Sequence, residues 1–234
     1  MNLSKTWLGD FINLLYPEVC AACNRSLQTH EDVICMHCRH SLPQTNFHHE
    51  PDNHVAKHFW GKLPIQNAAA FYYFSKGSRV QQLIHHLKYH GRSEIGVKIG
   101  KMYGTKLLEA AAFQDIDLIV PVPLHPKKQQ RRGYNQSDVF AEGLSVSMNV
   151  PWSADALKRA VFSNTQTRKD HLERWENVEN IFEVAHPEQL QNKHILLVDD
   201  VVTTGSTLEA CARLILEAEN TRLSIVTLAC ASHL

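Results

Sequence analysis

Two adjacent carboxylates, Asp199 and Asp200, stand between an apolar run at 195–198 and a turn of small, mostly hydroxylated residues, Thr203, Thr204, Gly205, Ser206 and Thr207. Neighbouring like charges repel, so such a pair is costly unless it accepts hydrogen bonds from hydroxyls or faces a cation. A strand over the apolar run delivers both acids to its C-terminal end, the edge at which open α/β sheets hold ligands. Gly205 lets backbone N–H groups turn toward one point, and a helix opening near Ser206 aims its positive end there. The hydroxyls add donors, and the whole suits a phosphate. No lysine follows the glycine, so this is not a Walker P-loop. Any piece alone would read as a strand capped by solvated acids, or as an ordinary N-cap at Ser206 or Thr207. The complete string at 195–207 says more than its parts.

A second group of chemically useful residues follows a Val-Pro-Val-Pro run at 120–123. Lys127, Lys128, Arg131 and Arg132 come within ten residues of Pro123, and the prolines stiffen the approach. Four cations suit a diphosphate, although such a cluster alone also reads as a solvated basic loop or a nucleic-acid contact. A third group is Cys20, Cys23, Cys35 and Cys38, two C-x2-C pairs separated by a short loop. Four thiolates close a tetrahedral Zn²⁺ site with no open position, so such a metal is structural. His37, inside the second pair, is an alternative ligand, and reduced or redox cysteines are the competing reading. Cys211 and Cys230 fall in an expected helix and strand and read as core thiols.

The elements that must position these groups follow from periodicity. Residues 1–16 read as a short helix docked on the body, with Trp7, Leu8, Phe11, Ile12, Leu14 and Leu15 largely on one face. Residues 43–64 are polar and His-rich and read as a linker with little regular structure. There His48, His49, His54 and His58 read as solvated loop histidines rather than a metal site, because their spacing is irregular. Strands are expected at 68–74, 116–122, 194–198 and 223–230. Helices are expected at 78–89, 94–112, 135–147 and 206–219, and a basic loop joins the second strand to the third helix. Residues 162–180 are polar and charged and read as a mobile loop. Alternation of strand and helix predicts an α/β fold, a mainly parallel sheet flanked by helices, with a small N-terminal zinc-binding module. The expected division is 1–60 for helix, cysteine module and linker, and 61–234 for the α/β domain.

The string at 195–207 resembles the phosphoribosyl-diphosphate (PRPP) loop of type I phosphoribosyltransferases. The resemblance is closer to the competence protein ComF family. It extends to the cysteine knuckles after Leu-Leu-Tyr-Pro, the Leu-Lys-Tyr-His-Gly run at 87–91, the Val-Pro-Val-Pro run and the Arg-Arg-Gly-Tyr-Asn-Gln run at 131–136. Thr165-Gln-Thr167 and the stretch from Arg174 to Asn177 also match. The resemblance implies that Asp199 and Asp200 hold ribose hydroxyls and that Val201, Thr203, Thr204, Gly205, Ser206 and Thr207 complete the PRPP site. It implies a diphosphate loop at Pro123, Lys127, Lys128, Arg131 and Arg132. This loop is longer and more basic than the Asp-Ser-Gly turn of amidophosphoribosyltransferases. It also implies a flexible hood at 162–180 containing Arg168, Lys169, Arg174 and Asn177, with Arg174 as the catalytic, diphosphate-contacting residue, and Mg²⁺ bound with PRPP. Its biological implication is natural competence and DNA uptake. The rival reading is a non-catalytic component that handles single-stranded DNA or senses a metabolite.

The bulk properties narrow the choice. The 234 residues carry 24 basic and 24 acidic groups, with 44% hydrophobic and 21% charged residues. That is an ordinary globular balance, which argues against wholesale coating of a polyanion and leaves room for a local basic patch. No apolar run approaches the roughly 20 residues of a membrane span, and the N-terminus lacks the features of a signal peptide. The expected location is cytoplasmic, and the partners are a phosphoribosyl ligand, single-stranded DNA with uptake proteins, and in principle a second copy of the chain.

Overall fold

The computed structural model describes residues 17–159 and 181–231. The expected helix at 1–16 and the whole of the expected hood at 162–180, with Arg168, Lys169, Arg174 and Asn177, lie outside the described residues. A four-stranded sheet forms the centre, built from β1 (Asn67–Phe74), β2 (Leu118–Pro121), β5 (His194–Val202) and β6 (Arg222–Ala231). Its order is β1-β6-β5-β2 and every neighbouring pair is parallel. Ile195, Leu196, Leu197 and Val198 are wholly buried, as are Ile225, Val226 and Leu228. Near-continuous apolar runs of this kind belong to strands covered on both faces.

Each crossover is helical. Chain order gives α1 (Met36–Ser41), α2 (His54–Phe59), α3 (Arg79–Tyr89), α4 (Glu94–Leu107), α5 (Pro126–Arg132), α6 (Gln136–Met148) and α7 (Ser206–Leu216). As expected, Val80, Leu83, Ile84 and Leu87 face the core from α3. Helices α4 and α6 cross at a pair of glycines. A Cβ on Gly143 would meet the Val97 carbonyl at 2.2 Å, and one on Gly100 would meet the Phe140 carbonyl at 2.4 Å. The two backbones therefore touch, which fixes α6 against β2 and β5.

Two expectations need correction. The segment 43–64 is not a linker. It holds a 3₁₀ turn (Phe47–His49) and α2, with Phe47, Val55, Phe59 and Leu63 buried. Its polarity is structural: Asn53 caps α2 through the Val55 and Ala56 N–H groups, while its amide donates to the carbonyls of Glu50 at 2.6 Å and Ala68 at 2.7 Å. Residues 43–45 also cover the β1 edge, with Tyr73 N–H donating to the Pro43 carbonyl and Thr45 N–H to that of Phe71. The basic loop is helix α5, opened by the His125 side chain and Pro126 and stopped by Gly133 at φ 84°. A two-stranded antiparallel hairpin, β3 (Leu157–Arg159) with β4 (Phe182–Val184), was not expected, because three-residue strands carry no readable alternation.

Candidate functional site

The sheet is parallel, so β2 and β5 end on the same side, and both chemical segments lie at that edge. Val122 N–H donates to the Val198 carbonyl at 2.9 Å, which docks the proline run beside the residue preceding Asp199. Strand β5 runs four residues further than its apolar stretch suggests, so Asp199, Asp200 and Val201 are half-buried inside the ladder.

The two acids are held differently. Asp199 accepts from the Ser137 hydroxyl at 2.9 Å and from the Asp200 N–H at 2.8 Å. Burial, and next the Asp200 carboxylate, outweigh those bonds and push its carboxyl up to about 7. Asp200 pairs with Lys88 of α3, whose Nζ lies 2.8 and 3.0 Å from its two oxygens. Lys88 belongs to the Leu-Lys-Tyr-His-Gly run but carried no assigned role. An acid pair requires a nearby cation, and that requirement was its available signal. Ser137 likewise went unassigned.

The turn after β5 is built as expected. Gly205 is buried at φ 66°, a left-handed conformation that favours glycine. A Cβ there would stand 2.6 Å from His58 Nε2. His58 donates from that nitrogen to the Thr204 carbonyl at 2.8 Å, so α2 braces the turn from behind. Among the described residues no side chain caps the first turn of α7, and Thr203, Thr204, Ser206 and Thr207 are all exposed around it. Uncapped helix N–H groups ringed by hydroxyls have the chemistry to accept an anion.

The Arg-Arg-Gly-Tyr-Asn-Gln run is mainly a scaffold. Gly133 ends α5, and Tyr134 donates its hydroxyl to the Leu87 carbonyl. Asn135 caps α6 and holds the Val122 carbonyl at 3.0 Å. Arg132 turns inward to Gln136 and stacks 5.4 Å from the Tyr89 ring, so it does not join the other cations. Lys127, Lys128 and Arg131 are exposed on α5. Beside Pro123 opens a cavity of about 390 Å³ containing Asp138, Asp155, Lys158 and Arg159. Burial, with a contribution from Asp155, raises the Asp138 carboxyl to about 6.

The four cysteine sulfurs lie within 4.8 Å of one another, and Cys23 and Cys35 are 3.8 Å apart. A tetrahedron with Zn–S bonds of about 2.3 Å has edges of about 3.8 Å, so the donor set fits Zn²⁺. Backbone N–H groups of Cys35 and Cys38 donate to the sulfurs of Cys20 and Cys35, the usual knuckle arrangement. His37 is exposed and directed to Arg79, outside the cluster. Cys211 and Cys230 are buried apart from it.

Comparisons with known proteins bear on the family and the fold. A family model described as a phosphoribosyl transferase domain matches residues 136–233. The chain is 32% identical over 201 residues to the DNA utilization protein YhgH of Escherichia coli (strain K12), covering 85% of this chain and 84% of that protein. It is 31% identical over 137 residues to Competence protein F of Haemophilus influenzae, covering 57% of this chain and 60% of that one. Competence protein ComFC of Bacillus subtilis is 26% identical over 218 residues, 91% of this chain and 83% of that one.

Proposed function

The chain belongs to the ComF family and has a type I phosphoribosyltransferase fold, and from that premise we propose that it binds PRPP, or a closely related 5-phosphoribosyl ligand, in the cytoplasm as part of DNA uptake and utilization. The observation that carries the reading is the pairing of two differently held carboxylates with an uncapped, hydroxyl-lined helix start one turn away. Asp199 and Asp200 accept from the ribose hydroxyls, and the N–H groups and hydroxyls at 203–207 take the 5′-phosphate. Lys127, Lys128 and Arg131 face the diphosphate end from α5, which shares the sheet edge with the turn.

Mg²⁺ bound with PRPP would supply charge neutralisation there. Asp199 and Asp200 do not by themselves build a carboxylate cage for it, because Lys88 already compensates Asp200 and Asp199 is drawn toward its neutral form. If transfer follows binding, a nucleophile attacks the sugar C1, the bond to diphosphate breaks, and α5 stabilises the departing charge. Four thiolates from Cys20, Cys23, Cys35 and Cys38 hold a structural Zn²⁺.

The rival, a single-stranded DNA surface without a phosphoribosyl site, is supported by the three exposed cations of α5. It lacks a stacking platform at Tyr134, whose ring is tied to α3. Calorimetry with PRPP·Mg²⁺ and with a single-stranded oligonucleotide separates the readings. Wild type should bind PRPP one to one, and Asp199→Asn/Asp200→Asn should lose it at least about tenfold while retaining any DNA binding. Wild type that ignores PRPP yet binds DNA with a steep salt dependence would overturn the proposal.

A further inference from the structure

His48 is only 5% exposed, yet neither ring nitrogen has a hydrogen-bond partner among the described residues. Burying an imidazole without partners is costly, and polar groups so placed are normally satisfied. The ring is not loose. It meets Tyr103 edge-on at 5.8 Å, and the 3₁₀ turn beneath it is pinned by Thr45, whose hydroxyl accepts from the Phe47 N–H at 3.1 Å. The neighbouring His49 ring lies 4.1 Å away. Glu109, just past the end of α4, completes a set in which a nitrogen of each imidazole and a carboxylate oxygen all lie within 4.8 Å of one another.

We propose that His48, His49 and Glu109 form a second metal site, separate from the cysteine cluster, that binds a divalent transition ion such as Zn²⁺ or Co²⁺. Two imidazoles and one carboxylate are the donors such ions prefer, and three protein ligands leave positions for water. His49 and Glu109 are exposed and provide an entry path, while buried His48 anchors the ion and gains a partner. Glu109 is shared with Lys106 at 2.9 and 3.0 Å, but side chains 42% and 48% exposed hold such a pair weakly, so an ion displaces the ammonium readily. The ion would clasp the 3₁₀ turn to the end of α4, the helix whose Lys98 pairs with Asp32 of the cysteine module.

The test uses the tag-free full chain with one equivalent of Zn²⁺ added to fill the cysteines, then titrated with Co²⁺. The expected result is one further equivalent, with weak visible d–d bands and paramagnetic loss of the His48 ring-proton signals. His49→Ala and Glu109→Gln, both at exposed positions, should each weaken this equivalent at least about tenfold without altering the cysteine site. Uptake of no further ion, uptake that survives both substitutions, or a thiolate-to-cobalt band as the only change would overturn the proposal. Because the cysteine site has its own band, failure there is read separately.

Discussion

At the scale of single residues, the acid pair is asymmetric. Asp199 is buried against Ser137 and its own backbone, whereas Asp200 has Lys88. The sequence announces both acids and the need for compensation, but Lys88 and Ser137 lie 112 and 62 residues away and only folding brings them in. The asymmetry has a measurable consequence. A carboxyl raised from 3.8 to about 7 binds its proton more readily in the folded state. Stability therefore falls as pH rises from about 4 to about 7 and is level above that. Asp199→Asn should remove this penalty, leaving stability little changed near pH 4 and raising it on the order of 2 kcal/mol at pH 8, measured by urea unfolding across pH. A variant equally destabilised at both pH values would show that Asp199 is charged and well compensated. Not every suggestive geometry is a site. Ser224, His194 and Asp115 are linked in series at 2.9 and 3.0 Å like a hydrolytic triad, but Ser224 is wholly buried at the opposite end of the strands.

At the scale of elements, the strand–turn–helix unit was legible because its signals agree: an apolar run, two acids, a glycine, then a periodic helix. Helix α5 was misread although its N-terminal proline and terminal glycine were present, because four cations among polar neighbours offer no apolar face. The segment 43–64 was misread for a different reason: of its apolar residues Phe47, Val55, Ala56, Phe59 and Leu63 are buried, Trp60 is exposed, and the polar, His-rich residues between them mask the short helix. That segment matters to the turn, since His58 supports the Thr204 carbonyl. Gly205→Ala adds a Cβ against His58 in a left-handed backbone. It should lower stability by about 1–3 kcal/mol, and His58→Ala in the same chain should recover the steric share but not the backbone share. Denaturant midpoints of the two single variants and the double variant measure this. Strict additivity would mean that the ring does not press on the turn.

At the scale of the whole molecule, the cysteine module is fastened to the α/β body rather than tethered. Lys98 on α4 pairs with Asp32 at 2.5 Å, and Arg92 donates to the Val19 carbonyl at 3.4 Å. If the four clustered sulfurs hold the proposed structural Zn²⁺, chelation under reducing conditions should lower the melting temperature by several degrees, followed by calorimetry with metal analysis. An unchanged melting curve after complete zinc removal would argue against a structural ion. The sequence made two parts of the molecule readable, the cysteine pairs and the strand–turn–helix unit at 194–216, because each depends on a local spacing. It gave no view of the contacts joining them, since they run between α2, α3 and α4 and distant parts of the chain. The central claim is that the edge formed by β2 and β5 receives a phosphoribosyl diphosphate, and a crystal structure grown with PRPP and Mg²⁺ tests it most directly. The expected complex has ribose hydroxyls on Asp199 and Asp200, the 5′-phosphate on the N–H groups after Thr204, and the diphosphate toward α5. A ligand seated elsewhere, or density absent at saturating PRPP, would contradict it.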